Sequence, residues 1–306
     1  MQDMNSLSIF ILCHNRPDDA RNAIRSVMDQ MDSDFTLTVS DNSSNDEVEH
    51  MVNLEFPTVH YVRRRPMLSA LEHFNRCIDE ANGTHFCLFH DDDLMGADFV
   101  REVKAAIAAY PDAIAIGCNA RIESGGQLQP RPSFLSRHPY VRFTSPQALA
   151  QRYFARFQSG IAPFPGYVYK CASIGTIRFR ADEGKYSDVT WLLRLSTKGH
   201  TVWINRLLMT YRLHGGNDGS VESRRDRLRF LAYLKKNRQF LGEGLLHEYR
   251  CSFIYKPIQK SVVGAHPARR RIATRFLRHY RWARYLRMDT YRFLLLRALD
   301  KRMDTP

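Results

Sequence analysis

Phe86-Cys87-Leu88-Phe89-His90-Asp91-Asp92-Asp93 is the stretch that decides how this chain is read. A short apolar run, aromatic and of strand length, stops abruptly at three consecutive carboxylates. Three adjacent anions repel one another and call for a counter-charge. A divalent cation supplies one, because Mg²⁺ and Mn²⁺ take hard oxygen ligands and share them with substrate phosphates. In open α/β sheets, ligands bind beyond the carboxyl ends of the strands, which is where this cluster falls. The same residues also suit a solvated acidic turn or a helix N-cap, since Asp93 precedes Leu94, Met95 and a helical pattern.

Working outward, strand and helix alternate. Ser8–Cys13 reads as a buried strand running into His14-Asn15-Arg16-Pro17, with Pro17 suited to a first helical position. Ala20, Ala23, Ile24, Val27 and Met28 follow at helical spacing. Thr36–Ser40 is a second strand, closed by the polar turn Asp41-Asn42-Ser43-Ser44-Asn45-Asp46. Val59–Val62 is a third, followed by Arg63-Arg64-Arg65, and Leu68, Leu71, Phe74, Ile78 and Ala81 form a helical stripe. Beyond the triplet come a helix carrying Phe99, Val103 and Ile107 and the strand Ala113–Gly117. This alternation implies α/β architecture with a mostly parallel sheet covered on both faces. Neither G-x-G-x-x-G nor a Walker loop occurs. Glu123–Ser145 reads as a long loop, Pro146–Phe157 and Asp188–Lys198 as helices, and His200–Ile204 with Leu207–Tyr211 as paired strands.

Length and composition fit one large or two modest soluble domains. The six cysteines are scattered without C-x-x-C pairing, so buried free thiols are expected and a zinc site or disulfide framework is not. No apolar run is long enough to span a bilayer and the N-terminus carries no signal-peptide pattern, so a cytoplasmic location is expected. The net charge of +13 is uneven: residues 250–306 hold 15 Lys/Arg against 3 Asp/Glu (+12), leaving 30 against 29 (+1) for the rest. A nearly neutral body with a basic tail points to an anionic partner for the tail.

Three segments in order, His14-Asn15-Arg16-Pro17, Val39-Ser40-Asp41 with its polar turn, and Phe89-His90-Asp91-Asp92-Asp93-Leu94, resemble the family 2 glycosyltransferases. Tyr186-Ser187-Asp188-Val189-Thr190-Trp191 looks like that family's acidic helix start, and Tyr211-Arg212-Leu213-His214 like its Arg-x-His element. The resemblance covers about residues 7–220 and implies the GT-A fold, a Rossmann-like, mostly parallel sheet flanked by helices. It implies a glycosyltransferase domain over residues 1–220, with a helical, strongly basic region over 221–306.

The activity implied is an inverting, metal-dependent transfer from a nucleotide-diphosphate sugar, a UDP-sugar in the first place, to a glycan or lipid-linked acceptor of bacterial surface polysaccharide synthesis. By the same resemblance Asp91, Asp92 and Asp93 form the D-x-D region that holds Mg²⁺ or Mn²⁺ and the donor, with His214 as a further metal or phosphate contact. His90 stands where many members have Asp. His14, Asn15 and Arg16 lie against the nucleotide, Arg16 facing a phosphate or solvent. Asp41 bonds the base or simply forms the turn, and Asn75 braces the loop on the donor side. Asp188 is the candidate general base, a role compatible with capping a helix, with Asp182 and Glu183 as competitors.

The tail, where Arg269, Arg270, Arg271, Arg275 and Arg278 alternate with Ile272, Phe276, Leu277 and Tyr280, has the composition of an interfacial amphipathic helix. It suits an anionic membrane surface, placing the protein peripherally at the inner face of the cytoplasmic membrane. A solvated helical subdomain and a homo-oligomer contact are the competing readings. Nucleic acid is the weakest, since no recognised module accompanies the charge. The rival functions are a sugar nucleotidyltransferase, which usually opens with a Gly-rich, Lys-containing loop absent here, and a catalytically inactive glycan- or membrane-binding module.

Overall fold

The computed structural model describes residues 6–130, 138–155, 164–215, 223–246 and 249; of 151–155 and 224 it describes the main chain alone. In chain order the first elements are β1 (Leu7–Cys13), α1 (Pro17–Met28), β2 (Thr36–Asp41), α2 (Glu47–Glu55), β3 (His60–Arg63), α3 (Ala70–Glu80), β4 (His85–His90), β5 (Leu94–Met95) and α4 (Phe99–Ala109). There follow β6 (Ala115–Ser124), β7 (Gln127–Leu128), β8 (Tyr140–Phe143), α5 (Pro146–Ala155), β9 (Tyr167–Lys170), α6 (Cys171–Ile174), α7 (Ser187–Leu195), β10 (Thr201–Leu213), α8 (Arg224–Lys236) and α9 (Arg238–Leu241).

The chain divides into two compact units. One lies within Met1–Ser145 and Ile161–Val221 and the other within Pro146–Gly160 and Glu222–Pro306. The first is a mixed α/β body whose sheet runs β3-β2-β1-β4-β9-β6-β10-β5, with β7 beside β6 and β8 beside β10. β3, β2, β1 and β4 are mutually parallel, and β6 pairs parallel to β10, with β9 antiparallel between β4 and β6. β1 is buried along its whole length because it has a sheet neighbour on each side, which explains the unbroken apolar run. Ala20, Ala23, Ile24 and Val27 bury one face of α1, and Pro17 opens that helix where no intrahelical N–H is needed. Ser69 and Glu72 close a capping box at the start of α3. In the second unit Ser223 accepts from Asp226 N at 3.1 Å to cap α8, and Phe230 packs edge-on to Tyr249 at 5.1 Å.

Three expectations change. Leu94–Met95 does not lead directly into a helix; it is a short strand antiparallel to Met209–Thr210, and the helix begins at Phe99. His200–Ile204 and Leu207–Tyr211 do not pair with each other. Both belong to β10 and pair with β6, with register shifts between Ile204 and Leu207 and again before Met209. Asn205-Arg206 between them lacks the Gly that a two-residue hairpin turn favours, and the irregularity keeps Ile204, Leu208 and Met209 all buried. The expected loop Glu123–Ser145 holds strand at each end: Gly125 and Gly126, at φ +60° and +75°, turn β6 into β7, and Tyr140–Phe143 is β8.

Cys13, Cys77, Cys87 and Cys118 are buried free thiols and Cys171 is partly exposed. No helix among the described residues is long and apolar enough to cross a membrane. The basic tail over 250–306 and its arginine-aromatic pattern lie outside the described residues.

Candidate active site

Parallel register aligns the carboxyl ends of four strands. Cys13 of β1 stands opposite Asp41 of β2, Asp41 opposite Arg63 of β3, and Leu12 opposite His90 of β4. The loops that leave these strands therefore meet at one sheet edge, to which His90 and the aspartate triplet are brought together with the Asp41 turn.

Between β1 and α1, Asn15 takes a left-handed conformation at φ +54°, one that Asn tolerates better than most residues. Its N–H donates to Ser43 Oγ at 2.7 Å, and its Oδ1 accepts from Ser44 N at 2.8 Å, fastening the loop to the β2 turn. His14 Nδ1 lies 2.9 Å from Asn42 O; a carbonyl only accepts, so the proton sits on Nδ1. His14 N donates to Asp91 Oδ2 at 2.8 Å.

Asp41 is fully buried and its carboxylate is fully engaged by the protein. Oδ1 accepts from Ser43 N at 2.9 Å and from the Ser43 hydroxyl, an Asx-type turn. Oδ2 accepts from Tyr61 Oη at 2.7 Å and from Arg63 Nη1. The arginine triplet divides into three different jobs. Arg63 also donates to Ser43 O at 2.9 Å; Arg64 is buried, in a fork with Glu80 at 2.6–2.7 Å and on Ser40 Oγ at 2.9 Å; Arg65 stays exposed beside Asp46.

The triplet is arranged differently. Asp91, Asp92 and Asp93 are all buried. Arg16 forks across the first two, Nη2 to Asp91 Oδ1 and Nη1 to Asp92 Oδ2, both at 2.6 Å. His214, just past β10, places Nε2 2.8 Å from Asp92 Oδ2. Asp93 Oδ1 accepts from Arg212 N at 2.9 Å, and the Arg212 side chain pairs with Asp19 of α1. Asp93 Oδ2 is buried and accepts no hydrogen bond among the described residues.

Burial pushes Asp91 up to about 7, although Arg16 and the His14 N–H pull the other way. Burial, with Asp92 alongside, lifts Asp93 well above the usual carboxylate range. Burial acts on Asp92 too, but His90, Arg16 and the His214 hydrogen bond outweigh it and hold its pKa below the ordinary value.

A ring nitrogen of His90 and one carboxylate oxygen each from Asp92 and Asp93 lie within 4.8 Å of one another. That mixed N/O set, with an orphaned buried acceptor in it, fits a divalent cation, Mn²⁺ through all three groups and Mg²⁺ through the oxygens. Asp91 faces the β1 loop and is not in this set, while His214 touches it through Asp92. The composition of the triplet did not single out His90. Its ring packs on Phe74 (5.9 Å) and Phe164 (5.4 Å), which fixes its direction, and aromatic residues on α3 and after position 163 are a weak signal for that.

Asp188 occupies the second position of α7, where its Oδ1 accepts from Val189 N at 2.8 Å. Burial pushes it up to about 6. Its competitors are committed elsewhere: Glu183 bonds Thr190 Oγ1 and pairs with Arg194 at 3.0 Å, and exposed Asp182 pairs with Arg180. Asn75 clamps the main chain of Phe179 at two points, 2.8 and 3.1 Å. Trp191 is fully buried against Phe179 at 4.4 Å and is core. Tyr211, which the sequence marked only as part of a motif, is partly buried against the core. Burial, and with it the fields of Asp93, Asp92 and Asp188, raises its phenol to about 12.

The sequence matches the family model "Glycosyl transferase family 2" over residues 8–174. No curated protein matches it. Among solved structures the fold is similar to residues 1–349 of S. aureus TarS in complex with UDP-GlcNAc, with TM-score 0.62 and 12% identity over 80% of this chain and 71% of that one. It is also similar to the mannosyltransferase PcManGT from Pyrobaculum calidifontis in complex with GDP-Man and Mn²⁺, with TM-score 0.55 and 13% identity over 98% and 88%. At such identities the likeness speaks for the fold, which is that of the GT-A enzymes.

Proposed function

The chain belongs to glycosyl transferase family 2 and is a glycosyltransferase, and from that premise we propose an inverting transfer from a nucleotide-diphosphate sugar, UDP-linked, to a glycan or lipid-linked acceptor. The observation that carries the reading is the strand-end acidic cluster, in which His90, Asp92 and Asp93 bring ligand atoms within 4.8 Å of one another beside the Arg16 guanidinium. A donor bound over the acidic cluster would present its sugar towards Asp188.

In this reading Asp188 takes the proton from the acceptor hydroxyl as its oxygen bonds the anomeric carbon, while the bond to the donor diphosphate breaks on the opposite face. With its pKa near 6, Asp188 is ionised at neutral pH yet basic enough to accept that proton. Arg16 and His214 face the leaving diphosphate, and His14 and Asn15 hold the loop beside it. The rigid Asp41-Ser43-Arg63 turn shapes the edge where the base sits. Asn75 sets the segment that leads to Asp188. His90, Asp92 and Asp93 would hold Mg²⁺ or Mn²⁺, whose charge offsets that gathering on the departing diphosphate.

A screen of UDP- and GDP-sugars for donor hydrolysis, with Mn²⁺ or Mg²⁺ present, tests the assignment. Release of one nucleotide diphosphate from one sugar donor is expected. The reading falls if no donor is hydrolysed and calorimetry detects neither UDP nor GDP. The +12 charge of residues 250–306 supports action at an anionic membrane surface, the inner cytoplasmic face. Full-length protein should co-sediment with anionic liposomes and not with neutral ones. Equal binding to both would remove that part.

A further inference from the structure

We propose that Arg16 is the resident counter-cation of the acidic cluster, holding Asp92 until a donor arrives and then passing to the donor diphosphate, so that divalent-cation and diphosphate binding are coupled through this one side chain. The inference rests on the glycosyltransferase reading of the site. Its first ground is the fork: one guanidinium spans Asp91 and Asp92 with two contacts of 2.6 Å. Asp92 also belongs to the set that fits a cation, so guanidinium and metal compete for the same carboxylate. A divalent ion entering beside Arg16 meets a like charge at close range, which opposes binding of the ion alone.

The second ground is exposure. The Asp91 and Asp92 side chains are 0% and 5% exposed, whereas that of Arg16 is 32% exposed. Arg16, with His214 3.3 Å from its Nη1 and 34% exposed, therefore stands on the solvent side of the carboxylates and meets an incoming anion before they do. Its Nη2 contact to Asp91 can persist while Nη1 leaves Asp92, because Asp91 is anchored separately by the His14 N–H. Guanidinium suits this transfer, since its planar fork matches carboxylate and phosphate equally. A diphosphate arriving with its cation relieves both charges at once: the anion draws Nη1 outward, and Asp92, still held at Oδ2 by His214 Nε2, turns its released charge to the cation.

The coupling is read by calorimetry on the full chain, with Mn²⁺ alone and with Mn²⁺ plus UDP, GDP or inorganic pyrophosphate. Pyrophosphate reports the charge without a base. In the wild type, saturating diphosphate should tighten Mn²⁺ about tenfold or more, and by reciprocity Mn²⁺ should tighten the diphosphate equally. In Arg16→Gln, Mn²⁺ alone should bind more tightly, the diphosphate alone more weakly, and the coupling should fall towards unity. Arg16→Lys keeps a charge but cannot span two carboxylates. It should give intermediate coupling, and it carries the test if the Gln variant does not fold.

Unchanged Mn²⁺ affinity and intact coupling in both variants would overturn the inference while leaving the enzyme reading in place. A wild type that binds none of UDP, GDP and pyrophosphate under any condition overturns both.

Discussion

Two strand-terminal carboxylate sites, at the ends of β2 and β4, start alike and finish differently. Asp41 and Asp93 are both fully buried aspartates beyond parallel strands. Asp41 has both oxygens filled by Ser43, Tyr61 and Arg63. Asp93 has one oxygen on Arg212 N and the other with no donor among the described residues, and its pKa is driven up by burial. The first site is electrostatically complete and behaves as architecture. The second is incomplete, and incompleteness in a native fold marks a place kept for something else.

The largest test lies at the incomplete end. Asp188→Asn keeps the shape but removes the proton acceptor, so sugar transfer should fall by about 10²–10⁴-fold with circular dichroism unchanged. Retained transfer would take Asp188 out of the chemistry. Next, the two strand-end aspartates should respond oppositely. Asp41→Asn strands Arg63 without its buried partner and should cost about 3–5 kcal/mol in urea unfolding. Asp93→Asn relieves an unfavourable charge and should lose activity while stability at pH 7 stays within about 1 kcal/mol of wild type. Equal destabilisation by both would erase the contrast.

A smaller effect appears in pH. Asp188 must be ionised to act, so turnover should fall about tenfold per pH unit below about 6 and level off above it, in stopped assays with saturating donor. The fold's own stability should run the other way. Asp91, raised to about 7, contributes stability that is complete below its unfolded value and is lost as pH rises through 7. Melting temperature should therefore drop across that window in metal-free buffer, and Mn²⁺ should restore more at pH 8 than at pH 5. Smallest, Asn75→Ala removes two hydrogen bonds and should cost about 1–3 kcal/mol, with kcat reduced and donor KM little changed.

The sheet was legible where burial leaves no choice. β1 and β4 are apolar because they have neighbours on both sides, and α1 and α3 carry their buried residues at helical spacing. α2 went unread because Val48, Met51 and Val52 make too short a stripe between polar turns. The triplet announced an acidic site, but its division of labour was hidden. Arg16 reaches Asp92 across 76 residues of chain, and only the aligned strand ends bring them together. His90 was noticed as standing where many members have Asp, but that its ring joins Asp92 and Asp93 depends on Phe74 and Phe164, which belong to other parts of the chain. Asp188 was the base candidate on sequence with Glu183 as a competitor, and what sets Glu183 aside is its pairing with Arg194 and Thr190.

The Asn75 clamp on Phe179 has a consequence for how the protein can vary. In the chain, the acidic cluster and Asp188 are separated by a long stretch that includes the turn of β6 into β7, β8 and α5. Asp188 takes its bearings not from that stretch but from α3, which precedes it, through the two bonds to Phe179. Length changes at the Gly125-Gly126 turn of that stretch leave the base and the helix that indexes it in register. The clamp lets that turn diversify as an exchangeable part, with Asp188 held on a frame that the turn does not carry.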